Sequence, residues 1–445
     1  MGKRLIVIGS GPGGYKSAVL GAEEDLDVTL VEKDVIGGVC TNTGCIPSKA
    51  LLSGAELVDS IKGAKRKGIK VELKEVDFSK LQKIKDRAVT VSRKGVEREL
   101  KEKGVEIIEG EASITGEDEV RVGERTLSAD NIIIATGSEP IAPPFLDVDE
   151  KNVLTNQGAF ALRESPESML IIGGGYIGVE MAFIYSSMGT SVTMVELMEN
   201  LLPNMDRDLG KEAEKILKRK RVKVVTETKV TSVDGNGPFT AVVDGKKSDE
   251  LEVEKILCAV GRRPTPPEMD LDIIDENGSI VTDGLMRTPV ENIYAVGDVT
   301  GKGMFAHTAY HQAKIAIDVI AGRDAEEFSR YPVPAGVFTH PEIASVGLSE
   351  EGAKKEYEDV RTASYPISAL GRGYSTGERT GFAKIVCSGD KVVGLHLICP
   401  GAMDIIMEGT VVLQKGITYR EIIDIIHPHP TYSEAIYKAA KLLAL

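Results

Sequence analysis

The sequence predicts an α/β protein in which two parallel-sheet modules of matching pattern are followed by a smaller α+β domain. Residues 3–33 show a short apolar strand, a glycine-rich turn, a helix and a second strand that ends in an acid, and residues 169–196 repeat this order. From residue 331 the pattern changes to alternating strands and then, from about residue 402, to helices. The 445 residues allow two to four domains, since a domain commonly holds roughly 100 to 200 residues.

Both modules carry glycines at the G-x-G-x-x-G spacing in the turn between the first strand and the helix. These are Gly9, Gly11 and Gly14 in the first module, and Gly173, Gly175 and Gly178 in the second. The first glycine of each turn precedes the strand-end acid, Glu32 or Glu196, by the same number of residues. Such a turn lets backbone N–H groups and a helix N-terminus meet a pyrophosphate, while the acid binds ribose hydroxyls. The pattern therefore predicts two Rossmann-like dinucleotide-binding domains.

The second module also indicates which nucleotide binds there. A 2′-phosphate would need an arginine near the strand end and would be repelled by Glu196. The next four residues are Leu-Met-Glu-Asn, and no cation occurs before Arg207. The sequence therefore favours NAD over NADP.

Two further segments, residues 131–140 and 255–264, each run from an apolar strand into a glycine turn and a proline. We interpret them as the exits of the two modules, and the proline-rich stretches that begin at Pro140 and Pro264 as linkers. The resulting domain assignment is residues 1–142 for the first module, 143–264 for the second, 265–330 for a segment that completes the first, and 331–445 for the last domain.

Among the five cysteines, only Cys40 and Cys45 lie close together. The segment between them and the following Ile-Pro-Ser-Lys49 predict a turn that leads into a helix. A thiol at a helix N-terminus with a lysine one turn on has its thiolate favoured, as redox chemistry requires. We therefore expect a local, redox-active disulfide and no metal site. The other cysteines are too scattered for a disulfide framework and are expected to be structural: Cys258, Cys387 and Cys399.

Near the C-terminus, the segment from His427 to Glu434 places a carboxylate five residues after the imidazole of His429. The carboxylate can orient the ring and raise its basicity, which suits a general base. A histidine beside prolines is more often structural than catalytic, so the segment alone leaves its role open. The role of His307 is equally open between a cap or packing residue and a chemical group.

Taken in order along the chain, these motifs resemble the pyridine nucleotide-disulfide oxidoreductase family, and the resemblance covers essentially the whole sequence. It is carried by residues 9–14, 37–49, 173–178, 288–298 and 429–434. The resemblance implies that the two Rossmann-like domains bind FAD and NAD and that the last domain is an α+β dimerisation domain. It also implies a homodimer that oxidises a dithiol with NAD, its substrate being a lipoyl-bearing carrier protein or free dihydrolipoamide.

The resemblance further implies roles for the residues of the redox centre. Cys45 would face the flavin, and Cys40 would be the interchange thiol that reacts with the substrate. His429 would be the base and Glu434 its carboxylate partner. The dimerisation domain would deliver this histidine to the cysteine pair of the other subunit.

Other implied roles concern the cofactors. Lys49 would lie near the flavin N5 atom and pair with Glu180. The helix that begins near Ala306 would place its N-terminal amides at the flavin N1–C2=O edge. The remaining FAD contacts are expected at Ala112, Gly137 and Asp298. The remaining NAD contacts are expected at Val230 and in the loop 259–262, which contains Gly261.

The sequence departs from the family in the helix-to-strand turn before the first acid. The family usually has a glycine there, and this chain has Asp25-Leu-Asp27. We expect the change to affect the turn and not the cofactor pocket.

Charge and hydropathy exclude other classes of function. The 54 Lys and Arg residues are outnumbered by 68 Asp and Glu residues, giving a net charge of -14 that would repel nucleic acid or an anionic membrane. The first apolar run, residues 5–8, is too short for a signal peptide or a membrane span, so we expect a cytoplasmic protein. Two alternatives stay open: an NAD(P)H-dependent reductase of another disulfide, similar to glutathione or mercuric reductases, and an FAD-binding redox module without catalysis.

Overall fold

A computed structural model describes residues 2–246 and 248–445 of the chain. The chain divides into two compact units, each built from three separate stretches of sequence. The first comprises Met1–Ala50, Lys80–Ile141 and Gly261–Tyr331. The second comprises Leu51–Ser79, Ala142–Val260 and Pro332–Leu445. Within the described ranges, no helix is both long enough and apolar enough to cross a membrane.

The core of the first unit is a parallel five-stranded sheet that contains the first predicted module. Its strands, in spatial order, are Ile293–Ala295, Asn131–Ile134, Arg4–Ile8, Asp27–Glu32 and Glu106–Glu109. A parallel sheet is covered on both faces, which explains its continuous runs of apolar residues. On the central strand, Leu5 and Val7 pack into one apolar cluster and Ile6 and Ile8 into another, because successive side chains point to opposite faces.

The helices around this sheet place the redox cysteines. The helix after the glycine turn spans Pro12–Glu23, and it packs against Ala306–Ile320, which begins where the sequence predicts. The expected turn at Cys40 is instead the short helix Gly38–Thr43, which is followed by the predicted helix Cys45–Gly63. The prediction of a turn was wrong for this segment, in which the side-chain amide of Asn42 also donates hydrogen bonds to the carbonyl oxygens of Ile36 and Gly38.

The turn that lacks the family's usual glycine has a left-handed residue. Asp25 has a φ of 58°, a conformation in which a glycine carries no steric penalty. Aspartate is one of the few other residues that tolerate this region. The helix and the strand on either side of the turn form as expected, Pro12–Glu23 and Asp27–Glu32.

Two smaller sheets complete the first unit, together with the helix Phe78–Glu102. One sheet contains, in spatial order, Glu268–Met269, Ala112–Gly116, Glu119–Val122 and Arg125–Ser128. The other pairs Ser138–Pro140 with Arg262–Pro264 in antiparallel fashion. The two segments interpreted as module exits therefore pair with each other.

The second unit contains the second module, with the architecture that the sequence predicts. Its parallel sheet has the order Lys223–Val225, Ser191–Val195, Ser168–Ile172, Lys255–Cys258 and Val153–Leu154. The helices of this part are Asn156–Ala161, Tyr176–Met188 and Arg207–Arg219. An antiparallel sheet follows, made of Lys229–Asp234, Phe239–Asp244 and Asp249–Val253.

The rest of the second unit is an antiparallel sheet with helices. The strand order is Ala335–Val337, Glu342–Gly347, Lys391–Cys399, Phe382–Ser388 and Val360–Pro366, with a hairpin between the third and fourth of these. The helices are Glu350–Glu356, Gly371–Thr376, Ala402–Lys415, Tyr419–Asp424 and Glu434–Leu443. Short 3-10 helices in the two units are Ala64–Lys67, Asp298–Thr300, Phe328–Arg330 and Ile367–Ala369.

A buried ion cluster joins distant segments of the second unit. Lys384 Nζ, whose side chain is 5% exposed, lies 3.0 Å from Asp206 Oδ1, 2.7 Å from Asp208 Oδ2 and 2.9 Å from Glu350 Oε2. Asp206 also caps the helix Arg207–Arg219 by accepting a hydrogen bond from the Asp208 amide. A buried cation needs such compensation, because removing charge from water is costly.

A buried histidine lies beside this cluster. His396 Nε2 is 3.1 Å from the Leu348 carbonyl oxygen, which can only accept, so this nitrogen donates and Nδ1 accepts from the Ser345 hydroxyl at 2.8 Å. Burial lowers the pKa of His396 to about 4, although the charge of Asp206 acts in the opposite direction. The ring is therefore neutral at neutral pH.

Candidate active site

In the first glycine turn, two glycines serve close packing and one faces open space. A β-carbon at Gly9 would lie 2.5 Å from the Ala135 carbonyl oxygen, and one at Gly14 would overlap the carbonyl oxygen of Gly9. A β-carbon at Gly11 would meet no atom within 4 Å. The space beside Gly11, at the N-terminus of the helix Pro12–Glu23, therefore suits the pyrophosphate of a dinucleotide.

Glu32 is held in place by hydrogen bonds from the same turn. Its Oε2 accepts from the Ser10 amide at 2.7 Å and from the Ser10 hydroxyl at 2.5 Å, and its Oε1 accepts from the Asp34 amide at 2.9 Å. The Ser10 hydroxyl in turn accepts from the Gly37 amide at 3.1 Å. Ser10 thus links the predicted ribose-binding acid to the start of the redox segment, and the sequence pattern gave no role to it.

The second module repeats this construction. A β-carbon at Gly173 or Gly178 would overlap a backbone carbonyl group, whereas one at Gly175 would meet nothing within 4 Å. Glu196 Oε2 accepts from the Gly174 amide at 2.5 Å, and Oε1 accepts from the Met198 amide at 2.7 Å. The carboxylate is therefore already oriented, and its charge lies where a 2′-phosphate would have to fit.

Cys40 and Cys45 are present as thiols that contact each other through a hydrogen bond. This hydrogen bond, together with burial and the charge of Cys45, raises the pKa of Cys40 well above its ordinary value, while Lys49 acts in the opposite direction. Cys45 is the first residue of the helix Cys45–Gly63, where the helix dipole favours a thiolate. The structure therefore brings together the two thiols that the sequence predicts as a redox pair.

Two tyrosines lie near these thiols and were not singled out by the sequence. The hydroxyl of Tyr15 donates to that of Tyr310 at 2.7 Å, and their rings pack edge to face. Burial raises the pKa of both tyrosines, and the charge of Cys40 acts in the same direction. The two residues are 295 positions apart, so that no local motif could have paired them.

Asp298, the predicted ribityl-binding residue, belongs to a three-residue network. Its Oδ2 accepts a hydrogen bond from the Ser138 hydroxyl at 2.5 Å. Arg262 donates from Nε to the Ser138 hydroxyl at 2.8 Å and from Nη2 to the Ser138 carbonyl oxygen at 2.6 Å. Burial lowers the pKa of Arg262, and Asp298 opposes this effect. Ser138 and Arg262 lie in the two predicted module exits, but the sequence does not indicate that they form a network with Asp298.

The other predicted cofactor residues occupy the following positions. Ala306 begins its helix, as expected. Gly137 and Gly261 both have positive φ, at 76° and 139°. Ala112 and Val230 are both buried, with 7% and 3% of their surface exposed. The side chain of Val230 belongs to an apolar cluster, and its contact with NAD stays a prediction.

Lys49 and Glu180, predicted as a pair, belong to different units. Glu180 is 8% exposed, and its Oε1 accepts a hydrogen bond from the Phe338 amide at 3.0 Å. The ring of His307 stacks on that of Phe305, with centroids 5.2 Å apart. The pairing of Lys49 with Glu180 stays a prediction.

His429 and Glu434 form the predicted dyad. His429 Nδ1 lies 2.9 Å from Glu434 Oε1, and Oε2 accepts from the Thr431 amide at 3.0 Å. Burial acts to raise the pKa of Glu434, but the hydrogen bonds from His429 and Thr431 outweigh it and hold this pKa below its usual value. A carboxylate can only accept, so Nδ1 of His429 donates and Nε2 keeps its lone pair for a substrate proton.

The described residues contain no group of three or more His, Cys, Asp and Glu side chains that could hold a metal ion. Carboxylates, glycine turns and thiols are instead arranged as two nucleotide sites, a redox pair and a basic imidazole. These groups can bind two dinucleotides and exchange thiols with a substrate.

Comparisons with known proteins agree with this arrangement. Residues 3–313 match the family described as pyridine nucleotide-disulphide oxidoreductase, and residues 333–440 match the dimerisation domain of that family. Dihydrolipoyl dehydrogenase of Halobacterium salinarum is 36% identical over 99% of this chain and 96% of its own length. Dihydrolipoyl dehydrogenase of Chlorobaculum parvum is 38% identical over 98% of this chain and 96% of its own length.

A solved structure of similar fold agrees with these matches. LpdA from Mycobacterium tuberculosis superposes with a TM-score of 0.89 at 26% identity, covering 99% of both chains. The match to a dimerisation domain supports the predicted homodimer. The predicted fold class and the predicted cofactors, FAD and NAD, are confirmed. This chain belongs to the pyridine nucleotide-disulphide oxidoreductase family.

Proposed function

We propose that this protein is a flavin-dependent enzyme that oxidises dihydrolipoamide with NAD⁺ through the Cys40–Cys45 pair. The observation that carries the proposal is the contact between Cys40 and Cys45 at the start of the helix Cys45–Gly63. The curated dihydrolipoyl dehydrogenases that resemble this chain match it from end to end, which supports the choice of substrate.

The first chemical step is thiol–disulfide exchange. Nε2 of His429 accepts a proton from one thiol of the substrate, and the resulting thiolate attacks the Cys40 sulfur of the oxidised pair. The Cys40–Cys45 bond breaks, a mixed disulfide forms between Cys40 and the substrate, and Cys45 leaves as a thiolate. The second substrate thiol then attacks the substrate sulfur of the mixed disulfide, which closes a cyclic disulfide and releases Cys40.

Two protons leave the substrate dithiol in these steps. The proton of the second thiol passes to the released Cys40, whose raised pKa favours the thiol form, and the proton of the first thiol stays on His429 until it leaves to solvent. Glu434 keeps the His429 ring in one orientation and stabilises the imidazolium that forms between the two steps. FAD held at the first glycine turn and Glu32 would supply an acceptor for the electron pair of the dithiol, and NAD⁺ held at the second glycine turn and Glu196 would take that pair up as a hydride.

We further infer the domain roles. Residues 1–142 with 265–330 serve FAD, residues 143–264 serve NAD, and residues 331–445 form the subunit interface and supply His429 to the other subunit. The dithiol is presented by a lipoyl-bearing carrier protein, with free dihydrolipoamide as the simpler substrate. The exposure of His429, whose side chain is 73% exposed in a single chain, supports a role at a surface shared with another chain.

A substrate panel tests this function. Purified, FAD-loaded protein is given NAD⁺ with dihydrolipoamide, reduced glutathione or reduced thioredoxin, and NADH formation is followed. We expect turnover with dihydrolipoamide and its loss in Cys40→Ser, while the control Cys258→Ser, at a buried cysteine outside the pair, stays active. Turnover with another thiol and none with dihydrolipoamide would instead support the alternative of a different disulfide substrate.

A further inference from the structure

His427, the first histidine of the C-terminal segment, is buried although it lies in a loop. Its side chain is 5% exposed. His427 Nε2 lies 2.9 Å from Oε1 of Glu408, on the helix Ala402–Lys415, and Nδ1 lies 3.0 Å from the carbonyl oxygen of Ile425. Both ring nitrogens therefore have a partner.

The two contacts determine where the protons lie. The carbonyl oxygen of Ile425 can only accept, so Nδ1 of His427 carries a hydrogen and donates it. Nε2 and Glu408 then share one further proton, either as an imidazolium facing a carboxylate or as a carboxylic acid facing a neutral ring. Burial raises the pKa of Glu408, although the hydrogen bond from His427 opposes this effect. The contact is a hydrogen bond in either form.

The same loop carries the base. His429 follows His427 after a single residue, Pro428, whose carbonyl oxygen accepts a hydrogen bond from the Thr431 hydroxyl at 2.7 Å. Pro430 comes directly after His429. Proline fixes one backbone dihedral and restricts the residue before it. With a proline on each side of His429, a displacement of His427 is passed on to the base.

We propose that Glu408 is a positioning residue for the dithiol chemistry. By holding His427 in its buried place, Glu408 sets the position of His429, while Glu434 sets the orientation of the His429 ring. Glu408 acts on the reaction through His427 and not by contact with the substrate. The inference rests on the proposed role of His429 as the base.

The test compares Glu408→Gln with Glu408→Ala in the full-length, FAD-loaded protein. Glutamine keeps the hydrogen bond, because its amide can donate to Nε2 of a neutral His427, whereas alanine removes it. We expect Glu408→Ala to lower kcat for dihydrolipoamide about tenfold or more, because a displaced base slows the dithiol exchange. We expect KM, and the reduction of ferricyanide by NADH, to stay within about twofold of wild type.

The controls separate position from packing. Glu408→Gln should keep at least about half of the wild-type kcat, because the hydrogen bond is retained. Asp404→Ala, one turn earlier on the same helix, should leave both activities unchanged. If Glu408→Ala does not fold, His427→Phe removes the same hydrogen bond and keeps the ring volume. Where both fold, the double variant should be no slower than either single variant, since the two residues act as a unit.

Hydrogen exchange gives a readout that needs no substrate. The backbone amides of residues 425–433 should exchange about fivefold faster or more in Glu408→Ala, and at the wild-type rate in Glu408→Gln. The proposal is overturned if Glu408→Ala exchanges as wild type does, or if Glu408→Gln is as slow in turnover as Glu408→Ala. A wild-type protein that does not oxidise dihydrolipoamide would contradict the proposed function instead, and the exchange rates would still decide the role of Glu408.

Discussion

Gly44 packs against the backbone of Cys40 so closely that a β-carbon at Gly44 would lie 3.2 Å from the Cys40 Cα atom and 2.9 Å from the Val39 carbonyl oxygen. Gly44 is also the residue between the helix Gly38–Thr43 and the helix that begins at Cys45. The absence of a side chain at this position lets the two helices bring the thiols together.

The first prediction is that Gly44→Ala impairs the redox pair. A methyl group at Gly44 must push the Cys40 helix away, and a disulfide tolerates little change in the distance between its β-carbons. We expect dithiol turnover to fall about tenfold or more, because small misplacements of reacting groups are costly. Gly63→Ala is the matched control at the end of the same helix, where a β-carbon would meet nothing within 4 Å. Equal activity of the two variants would contradict the prediction.

The second prediction concerns nucleotide choice. We expect wild type to prefer NADH over NADPH by about tenfold or more in kcat/KM, since tenfold needs only about 1.4 kcal/mol and Glu196 would face the 2′-phosphate. Glu196→Ser should reduce the preference by improving NADPH. The control Glu199→Ser, at an exposed carboxylate that pairs with Arg207, should retain it. A wild-type enzyme that uses both nucleotides equally well would refute the role of Glu196.

The third prediction is a pH dependence of stability that originates at His396. The folded protein holds the pKa of this ring at about 4, below the ordinary 6.5, so that between these values the unfolded chain binds a proton that the folded chain does not. Stability is then lost as the pH falls from 6.5 towards 4, by about 3 kcal/mol at most. As the pH falls through this window, the thermal unfolding temperature of wild type should decrease more steeply than that of His396→Gln. Parallel curves would mean that His396 does not cause the pH dependence of stability.

The fourth prediction is that the active unit is a homodimer with shared sites. A Cys40→Ser chain and a His429→Ala chain should each be inactive alone. If the histidine acts on the other subunit, their mixed dimer has one site with both Cys40 and His429 and one site with neither. The isolated mixed dimer should then recover about half of the wild-type dithiol activity, because residues that act as a unit fail and work together. A mixed dimer as inactive as its parents would mean that the histidine acts within its own chain or is not the base.

The parts of the site that sequence reasoning found are those written in short, local patterns. Each of these patterns spans at most a few tens of residues, and its spacing has a physical reason. They are the glycine turns at Gly9 and Gly173 with their following acids, the cysteine pair, and the dyad of His429 with Glu434. The fold class followed from the repeat of one such pattern.

The parts that sequence reasoning missed depend on contacts between distant segments. Tyr15 meets Tyr310 across 295 positions, and Ser138 meets Asp298 across 160. Such pairs arise from the packing of helices and strands. A tyrosine or a serine is common in many environments, so residue type alone does not identify it as part of a site. The short helix at Cys40 was missed for another reason, because its residues, Gly-Val-Cys-Thr-Asn-Thr, have low helix propensity.

The second module receives and releases a nucleotide once in every catalytic cycle. If the Glu196 side chain had to be ordered each time a nucleotide binds, it would lose conformational entropy in every cycle. The amides of Gly174 and Met198 already fix the carboxylate, so the loss is incurred once, when the chain folds. Exchange of NAD⁺ for NADH can therefore proceed without reordering of the Glu196 carboxylate.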